Sequence, residues 1–217
     1  MVMALVPAYN EAKTIERVVR DLYMVADSVV VIDDASIDET ARLAADAGAV
    51  VLQHSLNRGQ GAALETGHVY ARLNNADFVV HFDGDGQFFA SDISRGLSLL
   101  KEKKLDIVLG TRAQKKDSIP FLKRTFIFPV ARAVDKLFGS VSLTDAHNGF
   151  RVMNRTALEV LQLTQDRMAH ASEIPQLIKK YNVRYAELPV SVSYHEFGQG
   201  FGGGLRVVRD LLIGKFI

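Results

Sequence analysis

The sequence contains no cysteine. Disulfides and thiolate-held metals are therefore excluded, and the composition is compatible with a reducing compartment. Long apolar runs are missing too. No window approaches the roughly 20 apolar residues of a membrane span, and the run from Val2 to Val6 meets Pro7 and polar residues too soon for a secretory signal. No block of like charge suggests a nucleic-acid-binding tail, and there is no internal repeat or low-complexity linker. Two nucleotide motifs are absent as well. Asn57-Arg58-Gly59-Gln60-Gly61 lacks the Gly-Lys-Ser/Thr ending of a Walker loop. No Gly-x-Gly-x-x-Gly follows the first apolar run, which argues against a dinucleotide oxidoreductase.

What is present is a chain of 217 residues, 48% hydrophobic and 24% charged, sized for one domain with a substantial core. The net charge of +1 hides an asymmetry. Residues 1–111 carry 10 Lys and Arg against 16 Asp and Glu, a net of −6, while residues 112–217 carry 16 against 9, a net of +7. The first half looks built to receive a cation and the second to face something anionic; uneven solvated surface charge is the plain alternative.

Short β-branched runs alternate with amphipathic stretches. The pattern predicts strands at Val2–Val6, Ser28–Ile32, Ala49–Leu52, Phe78–Phe82 and Asp106–Leu109. Helices are predicted near Ala12–Met24, Asp38–Ala47, Gln60–Asn74 and Ser91–Lys103. Strands separated by such helices imply βαβ units, a mainly parallel sheet and ligands beyond the strands' carboxyl ends. Four polar motifs fall there: Pro7–Glu11, Asp33–Asp38, Asn57–Gly61 and Asp83–Gln87.

The most informative of these is Val79-Val80-His81-Phe82-Asp83-Gly84-Asp85-Gly86-Gln87. Two carboxylates at a strand end suffer desolvation and mutual repulsion. A hard cation such as Mg²⁺ or Mn²⁺ relieves both and binds a substrate's phosphates as well. Asp34, in the Asp33-Asp34 pair after the second strand, is placed to accept hydrogen bonds from a nucleoside, while Asp38 reads as a helix cap. Gly59 to Gly61 precede a helix start, where free N–H groups attract phosphate; plain helix-start chemistry explains them equally well.

Taken together, Val-Pro-Ala-Tyr-Asn-Glu, Val-Ile-Asp-Asp-Ala-Ser-Ile-Asp-Glu-Thr, Asn-Arg-Gly-Gln-Gly-Ala-Ala, Asp-Gly-Asp-Gly-Gln, Gly-Thr-Arg and Asn-Gly-Phe-Arg resemble the family 2 glycosyltransferases. The match is closest to dolichyl-phosphate mannose synthases and bacterial polyprenyl-phosphate glycosyltransferases, and it spans Val2 to Tyr194. The resemblance implies an α/β GT-A fold (a Rossmann-like, mainly parallel sheet flanked by helices), a GDP- or UDP-sugar donor and inversion at the anomeric carbon. It implies that Pro7, Tyr9, Glu11 and Asp34 hold the nucleoside, with Gly61 in the donor site. Asp83, Asp85 and Gln87 would hold Mg²⁺ or Mn²⁺ and the diphosphate. Arg112, and Arg124 as its second, would contact phosphate as forked guanidiniums do. Arg132 stands where many relatives carry asparagine, and Gln60 replaces a lysine common in the glycine loop.

Asp145 and Arg151 belong to the implied acceptor site. A hydroxyl acceptor, such as a growing glycan, calls for Asp145 as a base. A polyprenyl phosphate, with a second pKa of about 6, does not, and Asp145 would then orient Arg151 or the acceptor. Glu173 and His170 either join this site or sit on a helix surface. A catalytically silent nucleotide-sugar-binding subunit is the remaining alternative. The whole chain reads as one domain, with 1–111 receiving the donor and 112–217 the acceptor. After Arg112 the pattern predicts a Phe-rich basic helix over Pro120–Gly139, a polar loop Thr144–Arg151, helices near Arg155–Leu163 and His170–Tyr181, and an extended Arg184–Tyr194. A terminal helix is expected over Leu205–Ile217. The Phe-rich and terminal helices fit interfacial binding to an anionic membrane, or core packing with a basic edge. The expected setting is cytoplasmic and peripheral to a membrane, bound directly or through a small membrane-embedded partner.

Overall fold

Strands buried on both faces need near-continuous apolar sequence, and Val29 to Ile32 meet that demand with no solvent exposure at all. They lie in β2 (Ser28–Asp33) of a seven-stranded sheet, seen in a computed structural model that describes residues 1–112, 141, 143–145 and 148–193. The other strands are β1 (Val2–Ala8), β3 (Val50–Gln53), β4 (Phe78–His81), β5 (Ile107–Arg112), β6 (Arg151–Asn154) and β7 (Tyr185–Val190). Their order is β3-β2-β1-β4-β6-β5-β7. All pairings are parallel except those of β6, which runs antiparallel to both β4 and β5.

Side chains alternate between two cores, as a period of two requires. Ala4, Val6, Val29, Val31 and Val80 face α1 (Ile15–Leu22), α2 (Thr40–Asp46) and α4 (Ser91–Glu102). Met3, Leu5, Val30, Ile32 and Val79 face α3 (Gln60–Leu73), α5 (Arg155–Val160) and α6 (His170–Lys180). In α1 the buried residues Ile15, Val18, Val19 and Leu22 repeat at helical spacing, which is why this segment folds as an amphipathic helix. The α/β class expected from the sequence is therefore the observed one. Among the described residues no helix is long and apolar enough to cross a membrane.

Two local expectations are corrected. The polar loop predicted to end at Arg151 leads directly into β6, a four-residue strand inserted between β4 and β5. Its apolar core, Val152-Met153, is too short to show a period. The helix expected to reach Leu163 stops at Val160. Tertiary carboxylates capture the next amides: Glu65 accepts from Leu163 N at 2.7 Å, and Glu173 accepts from Thr164 N and Gln165 N at 2.9 and 3.0 Å. The predicted helices over 120–139 and 205–217 lie outside the described residues.

Candidate functional site

The carboxyl ends of β1, β2 and β4 open onto one crevice, built first from two loops tied together. Asn10 N donates to Ser36 Oγ at 2.9 Å, Ile37 N to Asn10 Oδ1 at 3.0 Å, and Glu11 N to Thr40 Oγ1 at 2.8 Å. Asp38 accepts from Ala12 N at 3.2 Å and from Thr40 N at 3.0 Å. These bonds hold Asn10 at φ 58° and Ala35 at φ 62°, left-handed conformations that non-glycine residues rarely adopt. Pro7 lies within β1, opposite Ile32, and Tyr9 is half exposed at the loop tip. Glu11 is pushed above the usual carboxylate range by burial, against its bond from Thr14, with the charges of Asp85 and Asp38 adding to the rise.

At the start of α3, where the sequence leaves phosphate binding and plain helix-start chemistry both open, the amides of Arg58, Gly59 and Gly61 are already bonded within the chain. Asp34 is buried, and its carboxylate accepts from Arg58 N at 3.0 Å, from Gly59 N and from the His54 ring at 2.7 Å. Gly61 N donates to Arg167 O at 2.9 Å. Both glycines also allow close packing against the segment around Gln165 and Arg167. A Cβ on Gly61 would lie 2.1 Å from Gln165 O; Gly59, at φ +89°, would put one 2.5 Å from Arg167 Cα. Asp34 thus fastens this loop, and Asp33 likewise accepts from Ser36 N and Gln53 Nε2. Glu173 and His170, weighed as site residues, hold residues 164, 165 and 167.

Beyond β4, Asp83 and Asp85 enter the crevice. Asp83 Oδ1 accepts from Gln60 Nε2 at 2.8 Å, and its carboxylate lies against Gly149, where a Cβ would meet Oδ2 at 2.2 Å. Burial, then the charge of Asp85, raises Asp83 to about 6, against the pull of Arg151 and Gln60, with Glu11 adding to the rise. Asp85 Oδ1 accepts from Gln87 N at 2.9 Å, which sets the turn, and Thr14 Oγ1 fastens the loop through Gly84 O at 2.7 Å. Ser193 N donates to Gln87 O at 2.9 Å and Phe88 bridges to Val192, so the later chain returns to this loop.

Mutually repelling carboxylates in a half-buried crevice are the donor set a hard divalent cation neutralises, so the residues fit Mg²⁺ or Mn²⁺. Among the described residues no three carboxylate or imidazole groups are arranged to hold a metal unaided, so such an ion would draw on substrate oxygens as well.

Arg151, at the start of β6, pairs in register with His81 and is buried. Burial lowers it to about 10, opposed by Asp83 and Asp145. Its one side-chain hydrogen bond among the described residues is a long one, 3.5 Å to Gly149 O. At the end of β5, Arg112 grips Asp145 with Nε at 2.8 Å and Nη2 at 3.0 Å, and donates its backbone N at 3.2 Å. Burial works upward on Asp145, but the Arg112 bonds and charge outweigh it and hold the carboxyl below its ordinary value. Arg124 and Arg132 lie outside the described residues. Sequence reasoning missed the Gln60–Asp83 bond and a buried His68–His81 pair beneath it, with Nε2 atoms 2.7 Å apart. Neither has a sequence signature, since one joins α3 to the loop after β4 and the other joins α3 to β4 itself.

Comparison with known proteins bears on this geometry. The model of "Glycosyl transferase family 2" matches residues 3–162. An uncharacterized protein of Methanocaldococcus jannaschii is 30% identical over 224 residues, covering 99% of this chain and 92% of that one. The UDP-N-acetylglucosamine–dolichyl-phosphate N-acetylglucosaminyltransferase of Methanococcus voltae is 26% identical over 230 residues, covering 95% and 91%. Among solved structures, glucosyl-3-phosphoglycerate synthase of Mycobacterium tuberculosis in complex with Mg²⁺ and UDP superposes with a TM-score of 0.71 at 18% identity, over 98% of this chain and 78% of that one. At that identity the likeness speaks for the fold.

Proposed function

The chain belongs to glycosyl transferase family 2, and from that premise we propose that it moves a sugar from a nucleoside-diphosphate donor to a polyprenyl (dolichyl-type) phosphate, inverting the anomeric carbon. Pro7, Tyr9 and Glu11 line the nucleoside end of the crevice, whose wall Asp34 and Gly61 shape from behind. Asp83, Asp85 and Gln87 would hold Mg²⁺ or Mn²⁺; when bound, the ion neutralises charge building on the leaving diphosphate. The acceptor oxygen attacks C1 from the face opposite the leaving group, so one displacement inverts the centre. Placement and fixed charge supply most of the acceleration.

The observation that carries the acceptor assignment is the Arg112–Asp145 pair. A general base needs a pKa near the working pH. Asp145 has both oxygens on Arg112 and is held low. A phosphate nucleophile arrives already ionised and needs no base, whereas an anchored guanidinium suits it. Arg124 is proposed as a second phosphate contact. The M. voltae relative's name supports a lipid-phosphate acceptor and a UDP-sugar donor. N-acetylglucosamine and glucose are sugars that the names of dolichyl-phosphate relatives print, so a donor carrying one of these is proposed rather than mannose. The proposed setting is the cytoplasmic surface of a membrane, where such an acceptor resides.

The test is donor hydrolysis. With Mn²⁺ and no acceptor, slow release of nucleoside diphosphate is expected from UDP-N-acetylglucosamine or UDP-glucose. No release from either, nor from GDP-mannose, would instead support a binding-only subunit.

A further inference from the structure

We propose that Glu187 is a positioning residue for the Arg112–Asp145 pair, acting through Thr144. The inference deepens the acceptor reading and rests on it. Glu187 lies within β7, the last strand of the sheet order, and its register partner on β5 is Leu109, three positions before Arg112. A carboxylate on such a strand has water available to it. Instead both of its oxygens close on one residue. Thr144 N donates to Oε1 at 2.6 Å, and Thr144 Oγ1 donates to Oε2 at 2.7 Å. The next residue is Asp145, whose carboxylate takes the Arg112 fork at 2.8 and 3.0 Å and the Arg112 backbone N at 3.2 Å.

Asp145 is thus held from both directions along the chain. Downstream, Asn148 N donates to Asp145 O at 3.1 Å, and Asn148 Nδ2 reaches its Oδ2 at 3.4 Å. Upstream, Glu187 holds the residue immediately before it. Without that hold the Asp145 carboxylate moves with residue 144, and the guanidinium it grips loses its fixed aim at an acceptor phosphate. Forked recognition depends on geometry, so a shift of about 1 Å is costly. Asp83 and Asp85 stand on a different loop, so the donor side should not feel the change. The two bonds are separable by substitution. Glu187→Ala removes both, and Thr144→Val removes the hydroxyl bond alone. Glu187→Gln keeps both partners satisfied, its carbonyl accepting from Thr144 N and its amide donating to the hydroxyl.

The experiment measures kcat and KM of the full chain for polyprenyl phosphate at saturating donor and Mn²⁺, with acceptor-free donor hydrolysis run alongside. Glu187→Ala is expected to raise KM about tenfold, the order of one hydrogen bond to a charged group, with kcat and donor hydrolysis little changed. Thr144→Val should show the same split at about threefold, and Glu187→Gln should stay within that range of the unaltered protein. Because Glu187 acts through the pair, its effect should vanish once the guanidinium is gone. The double variant with Arg112→Ala should therefore match Arg112→Ala alone to within about twofold. Should Glu187→Ala fail to fold, the same cycle with Thr144→Val decides. Full additivity in the cycle overturns the inference, as does an unchanged KM, or a fall in donor hydrolysis equal to the fall in transfer. If the unaltered protein passes no sugar to polyprenyl phosphate, the acceptor reading itself fails and takes this inference with it.

Discussion

Replacing Asp85 with asparagine is expected to reduce sugar transfer by about 10³-fold or more, because loss of a metal ligand removes several kcal/mol of charge stabilisation from the transition state. EDTA should reproduce the loss in the unaltered protein. The fold should survive. Asp85 raises both Asp83 and Glu11, so its neutralisation relieves repulsion, and the melting temperature of the metal-free variant should equal or exceed that of the parent. The sign can be checked against pH. Asp83 holds its proton up to about 6 when folded, well above its ordinary value. The folded state therefore binds more protons than the unfolded one between those values, and the metal-free protein loses stability as pH rises through that window. Asp85→Asn should flatten this slope. Full activity in Asp85→Asn or in EDTA would remove the metal from the account.

The second large effect separates Arg112 from its partner. Arg112→Ala should lower transfer on the order of 10²-fold, the worth of a charged hydrogen-bonding fork on phosphate. Asp145→Asn should cost less than about tenfold, since asparagine still offers one oxygen to Arg112 and no base is lost. A defect of 10²–10⁴-fold in Asp145→Asn would instead mark Asp145 as a general base and the acceptor as a hydroxyl. Steady-state rates of the two variants at saturating donor decide between these outcomes.

These expectations rest unequally on what the sequence displays. The apolar runs ending in Asp33 and Asp83 predict parallel strands and a crevice at their ends, because a strand buried on both faces has to be apolar throughout. Asp83, Gly84, Asp85 and Gln87 are adjacent in sequence, so their chemistry is legible from order alone. The Arg112–Asp145 and Gln60–Asp83 contacts join residues 33 and 23 positions apart, and nothing local announces them. Gly59 and Gly61 leave two readings open for a different reason. A glycine needed for close packing against Gln165 and Arg167 reads the same as one needed for close approach of a phosphate. Strand β6 escaped because four residues carry too little periodicity, and its place between β4 and β5 is fixed by ladder pairing with both neighbours.

The most direct measurement compares two acceptors differing only at the nucleophile: a polyprenyl phosphate and the corresponding polyprenol. With the unaltered protein, Mn²⁺ and the donor it hydrolyses, labelled sugar should pass to the phosphate. The alcohol should react at least about 10²-fold more slowly, lacking both the ionised oxygen and the charge that Arg112 binds. Glycosylation of the alcohol as fast as the phosphate would contradict the lipid-phosphate assignment and return Asp145 to the role of a base.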